Sequence, residues 1–120
     1  MATEITQLPA VTPVSMIIGD GFSWSMRINR ALTDYTFTTS VYSITRNSYT
    51  GVTSVDVAFT PALQVTVNTT TNQTTVLHTV AAGQTSGLSP NGSYRWYLRW
   101  TSPGGVPRTI ASGKFIASLP

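Results

Sequence analysis

From Phe22 to Asn29 every even position is apolar (Phe22, Trp24, Met26, Ile28) and every odd one polar (Ser23, Ser25, Arg27, Asn29). Successive side chains of a strand point to opposite faces, so a period of two sets one face against a core and the other in water. A helix would scatter the same residues around its circumference. Residues 94–100 repeat the pattern, with Tyr94, Trp96, Leu98 and Trp100 on one face and Arg95, Tyr97 and Arg99 on the other. Alternation also marks 37–41, extending through Tyr42 and Ile44, then 55–59, 63–67, 75–80 and the return segment 108–117. Turn residues punctuate them at Gly19-Asp20-Gly21, Asn47 to Gly51, Asn68 to Asn72 and Ser102-Pro103-Gly104-Gly105. The only helical turn falls within 81–88, kept short by Gly83 and Gly87. Seven or eight short strands at these spacings predict an all-β, two-sheet antiparallel sandwich over residues 15–120. Its core is expected from Phe22, Trp24, Met26, Phe59, Tyr94, Trp96, Leu98 and Trp100. Residues 1–14, in which Pro9 and Pro13 hold their predecessors extended, predict an N-terminal arm tied down by the domain's own sheet or by a neighbour.

The chain has 120 residues, enough for one domain with an unaided core. Charged residues make up 9%, far below the roughly 25% of an ordinary soluble domain. Twenty-one Thr and 13 Ser take their place, so the surface is neutral and rich in hydroxyls. With no cysteine there is no disulfide, thiol nucleophile or thiolate metal site. One histidine, His78, and four carboxylates, Glu4, Asp20, Asp34 and Asp56, leave little from which to build a catalytic or metal centre. His78 sits on the 75–80 strand with no acid or nucleophile at a useful spacing and reads as a half-buried strand residue. The carboxylates are dispersed over turns and strands. No catalytic, cofactor or metal residue is therefore expected, and the chain reads as non-enzymatic. No apolar run is long enough to cross a membrane, and no signal-peptide pattern opens the chain. A net charge of +3 reflects scarce acids more than a basic patch, which disfavours nucleic acid as partner. Asn68, Asn72 and Asn91 begin sequons of the kind that a Thr- and Ser-rich chain produces by chance.

The stretch Leu88-Ser89-Pro90-Asn91-Gly92-Ser93-Tyr94 resembles the tyrosine corner of fibronectin type III and immunoglobulin-like domains. Leu88, Pro90 and Tyr94 carry it, and it implies an immunoglobulin-like sandwich. A wider resemblance covers residues 15–118. Gly19-Asp20 before an alternating strand, Asp34 introducing the next, Gln84-Thr85-Ser86-Gly87-Leu88 before the aromatic strand, and Arg108-Thr109 through Gly113 in the return strand are similar to small all-β modules of tailed-phage baseplates, such as the N-terminal domain of upper baseplate proteins. Ile18 stands where that family usually has a basic residue. The resemblance implies a virion structural protein, of tail or baseplate, whose partners are copies of itself and other virion proteins. Capsid decoration is the alternative within that class, and a carbohydrate-binding or host-adhesion module is the rival outside it.

Arg95, Tyr97 and Arg99, with Arg27 on the polar face of the first long strand, form the candidate protein-interaction surface. Arginines also snorkel over any exposed strand face, so the stripe alone does not distinguish docking from coverage. Sugar binding would instead bring Tyr42, Tyr49 and Tyr97 along one shallow groove.

Overall fold

The computed structural model describes residues 2–5 and 10–120; Met1 and residues 6–9, including Pro9 of the arm, lie outside the described residues. The strands are β1 (Ala2–Ile5), β2 (Ala10–Val11), β3 (Val14–Ile17), β4 (Phe22–Ile28), β5 (Thr36–Arg46), β6 (Thr53–Phe59), β7 (Ala62–Asn68), β8 (Gln73–Val80), β9 (Tyr94–Thr101) and β10 (Pro107–Ser118), with one helical turn, α1 (Ala82–Thr85). They form two sheets. The first runs β1-β4-β8-β7; the second runs β2-β10-β9-β5-β6, with β3 also on β10. The result is an all-β sandwich of two packed sheets. Strands β4 to β10 pair antiparallel throughout. The arm differs: β1 runs parallel to β4, and β2 and β3 run parallel to β10. The described segments of the arm, Ala2–Ile5 and Ala10–Val11, thus pair with the domain's own sheets, and β3 crosses the boundary expected at residue 14.

The two most regular alternations meet face to face. Trp24, Met26 and Ile28 from β4 and Trp96, Leu98 and Trp100 from β9 are buried, joined by Phe59, Val76, Phe115 and Ile110, with Phe22 and Tyr94 packed at the margin. Fully burying each of these large side chains is worth roughly 1.5–3 kcal/mol. Trp24 meets Trp96 edge-on at 5.8 Å and stacks on Phe22 at 5.3 Å.

Polar side chains tie the loops to this frame. The Tyr94 hydroxyl accepts from the Ser89 N–H at 2.9 Å, which closes the tyrosine corner. Its ring lies over Gly92, where a Cβ would strike it, so the turn needs glycine there. Asn47 and Asn68 each accept two downstream backbone N–H groups and so hold their turns. Two of the sequence motifs also touch. Buried Thr85 accepts from Gly19 N–H at 3.0 Å, and its hydroxyl lies 3.0 Å from the carbonyls of Asp20 and Ala82, to one of which it donates. Next to it, Gln84 accepts from Ala81 N–H and donates to the carbonyl of Thr60. The Gly-Asp turn and the Gln-Thr turn are one clamp. Thr85→Val preserves shape but removes the hydroxyl's bonds to these part-buried backbone groups, at an expected cost of about 1 kcal/mol. Urea unfolding checks this as a lowered midpoint at constant slope; an unchanged midpoint would refute the clamp.

Candidate interaction surface

The outward face of the second sheet gathers the polar stripe of β9. Across the ladder Tyr97 stands opposite Ser40 of β5, Arg95 opposite Tyr42, and Arg99 opposite Thr38. On the other side Arg95 stands opposite Lys114 of β10. Arg99 lays its guanidinium over the Tyr97 ring, 4.5 Å from the centroid, and donates through Nε to the Thr109 hydroxyl at 3.1 Å. A cation over an aromatic face is worth about 0.5–1 kcal/mol where exposed. Tyr42 and Tyr97 lie 6.0 Å apart. Together with Ser40, Val55, Val57 and Arg99 they line a shallow groove of about 380 Å3.

The valines reach this groove through a defect in the ladder. β6 pairs Phe59 with Val41, then Val57 with Tyr42, so Ala58 is an extra residue. Strict alternation would put Val55, Val57 and Phe59 on one face. The bulge shifts the parity instead: Phe59 enters the core while Val57 and Val55 face outward at 67% and 59% exposure. Alternation alone could not show this, because an inserted residue leaves no mark in a run of small and apolar side chains. The register also sends Arg46 outward with Ile44 and Tyr42, whereas Asp56, opposite Ser43, points the other way. Arg46, Arg95, Arg99 and Lys114 are therefore outward on this face, and among the described residues of β5, β6, β9 and β10 no carboxylate joins them.

Two expected members lie elsewhere. Arg27 does not join Arg95, Tyr97 and Arg99: β4 belongs to the first sheet, and its polar face looks out from the opposite side of the sandwich, with Arg27 beside Thr75 of β8. Local alternation fixes which face of a strand is polar but not which sheet the strand enters. Tyr49 is 98% exposed in the turn between β5 and β6 and does not line the groove.

His78 is fully buried, deeper than the half-buried position expected for it. It stacks on Trp24 at 4.4 Å and meets Trp96 edge-on at 5.8 Å. Neither ring nitrogen has a well-formed hydrogen bond. Burial lowers its pKa to about 4, with the backbone of Val76 and Trp24 offsetting only part of that shift. It is a neutral core residue with no access to the outer face. Among the described residues no group of three or more His, Asp or Glu is placed to hold a metal ion.

No protein-family description matches the chain, and no curated protein is significantly similar to it.

Proposed function

We propose that the chain is a non-enzymatic structural protein of a tailed-phage particle that docks onto other virion proteins through the outward face of its second sheet. The observation that carries the docking reading is that face itself, where four cations, two tyrosines and two exposed valines occur together with no outward carboxylate among the described residues. Between the four cations the face presents hydroxyls, tyrosines and valines, which are covered with little charge desolvation, while the cations themselves call for an acidic partner surface. The likeness of the Gly-Asp, Gln-Thr and Arg-Thr segments to baseplate modules favours tail or baseplate, with capsid decoration as the alternative position.

Mass spectrometry of purified particles should find the protein at a high, symmetry-related copy number, and absence from the particle defeats the proposal. Arg99→Glu reverses a central charge and strips the cover from Tyr97. It should lower incorporation by roughly tenfold or more while leaving the circular dichroism spectrum unchanged, as an anchor worth at least about 1.4 kcal/mol requires. Unchanged incorporation would remove this face from the docking role.

The Tyr42–Tyr97 groove also favours a second reading, a carbohydrate-binding or adhesion module. It is the weaker one, because Arg99 already occupies a face of Tyr97 on which a sugar would stack. Binding on a glycan array that Tyr42→Ala abolishes would establish it.

A further inference from the structure

The first sheet ends at β1 and β7, the second at β6 and at the β2 and β3 segments beside β10. An unpaired edge is a template for another strand, and proteins guard edges with charges, prolines and bulges. β6 carries Asp56 and the Ala58 bulge, and Pro13 separates β2 from β3. β7, with the sequence ALQVTVN, has no such guard. It contains no charge or proline and keeps one-to-one register with β8 over all seven residues. Leu63, Val65 and Val67 face the sandwich interior: Leu63 reaches the core, yet Val65 remains 39% exposed. The sandwich is open along this edge.

We infer that β7 pairs antiparallel with β7 of a second copy of this chain, centred on Val65, joining two four-stranded sheets into one. The sequence of the edge selects this partner. In an antiparallel pair, directly opposed residues share a face, so a two-fold axis must pass through a residue and not between two. An axis at Val65 is the one choice that pairs all seven residues of the strand. Leu63 then faces Val67, Gln64 faces Thr66, Ala62 faces Asn68, and Val65 covers itself. Leu63 and Val67 meet as apolar side chains and Val65 meets itself, hydroxyl meets amide at Thr66 and Gln64, only the strand ends set Ala62 against Asn68, and no charge opposes its like. A junction of this length falls short of the roughly 800 Å2 per partner of a standard stable interface. The pairing is therefore weak between free copies and fills at the high local concentration of an assembly. It concerns self-association alone and stands whether or not the chain belongs to a phage particle.

The absence of cysteine makes the register directly testable. Val65→Cys places one thiol opposite its own copy, within the span of a disulfide. Under mild oxidation it should form a covalent dimer roughly tenfold or more faster than Gln64→Cys, displaced from its copy by two residues, or Val57→Cys, more exposed but on β6. Gln64→Cys mixed with Thr66→Cys should also cross-link, an independent pair in the same register should Val65→Cys disturb folding. Val65→Lys should abolish the dimer seen by sedimentation at high protein concentration. Equal rates for Val65→Cys and either control, or faster linking of Val57→Cys, would overturn the inference.

Discussion

Replacing Gly113 by alanine is expected to destabilise the domain by about 3 kcal/mol, although glycine to alanine within a strand ordinarily gains about 0.5–1 kcal/mol. The reason is a single close approach. Gly113 lies on β10 opposite Trp96, and between β2 and β3 the arm turns the carbonyl of Thr12 directly over it, so that a Cβ would collide with backbone. That carbonyl accepts from the Trp96 indole N–H at 2.9 Å, and the Thr12 N–H donates to Ser112 at 2.9 Å. Backbone cannot swing aside as a side chain can, so the arm must lift. Trp96, fully buried, then keeps an unpaired donor, at about 1–3 kcal/mol, and Val14 and Met16 lose part of their burial. Thermal unfolding should move down by on the order of 10–20 °C. Trp96→Phe, which removes the donor, should cost less in the Gly113→Ala background than alone, since the two share one interaction. A melting temperature at or above that of the wild type would show that the arm does not seat on β10 in this way.

The second large effect comes from acid. In the unfolded chain His78 titrates near 6.5, and in the fold, where burial disfavours the cation, near 4. The folded pKa lies below the unfolded one, so as pH falls the unfolded chain takes up the proton first. The stability contributed by the neutral ring is complete above pH 6.5 and is lost as pH falls through 6.5 toward 4. The interval corresponds to about 3 kcal/mol at most. His78→Leu has no such group and no ring-nitrogen hydrogen bonds to sacrifice. Between pH 7, 5.5 and 4 the urea midpoint of the wild type should fall further than that of the variant. Parallel curves would mean that the ring is hydrated or charged in the fold.

How far the sequence could be read depends on the range over which each feature is encoded. Residues 22–28 and 94–100 formed strands with the expected faces because alternation is a local property and both core faces are aromatic. The tyrosine corner was legible for the same reason: Leu88, Pro90, Gly92 and Tyr94 act within one turn. What failed depended on pairing. The separation of Arg27 from Arg95, Tyr97 and Arg99 is set by the sheet that β4 joins. The outward turn of Val55 and Val57 is set by a two-against-one match between β6 and β5. The roles of Gly113 and Thr85 rest on contacts with residues far along the chain, Thr12 and the Gly19-Asp20 turn. None of these leaves a short-range periodic signal.

The parallel seam of β2 and β3 against β10 also has a mechanical consequence. A pull transmitted through Ala10 and Ser118 in opposite directions runs along the two strands and not across them. Each hydrogen bond of the seam is then sheared together with the others, and none can be opened alone as in a zipper. The Thr12 carbonyl seated over Gly113 acts as a catch partway along that seam. Tension applied in that direction therefore loads the whole seam at once, and its strength against such a pull is set by the seam and not by the stability of the domain as a whole.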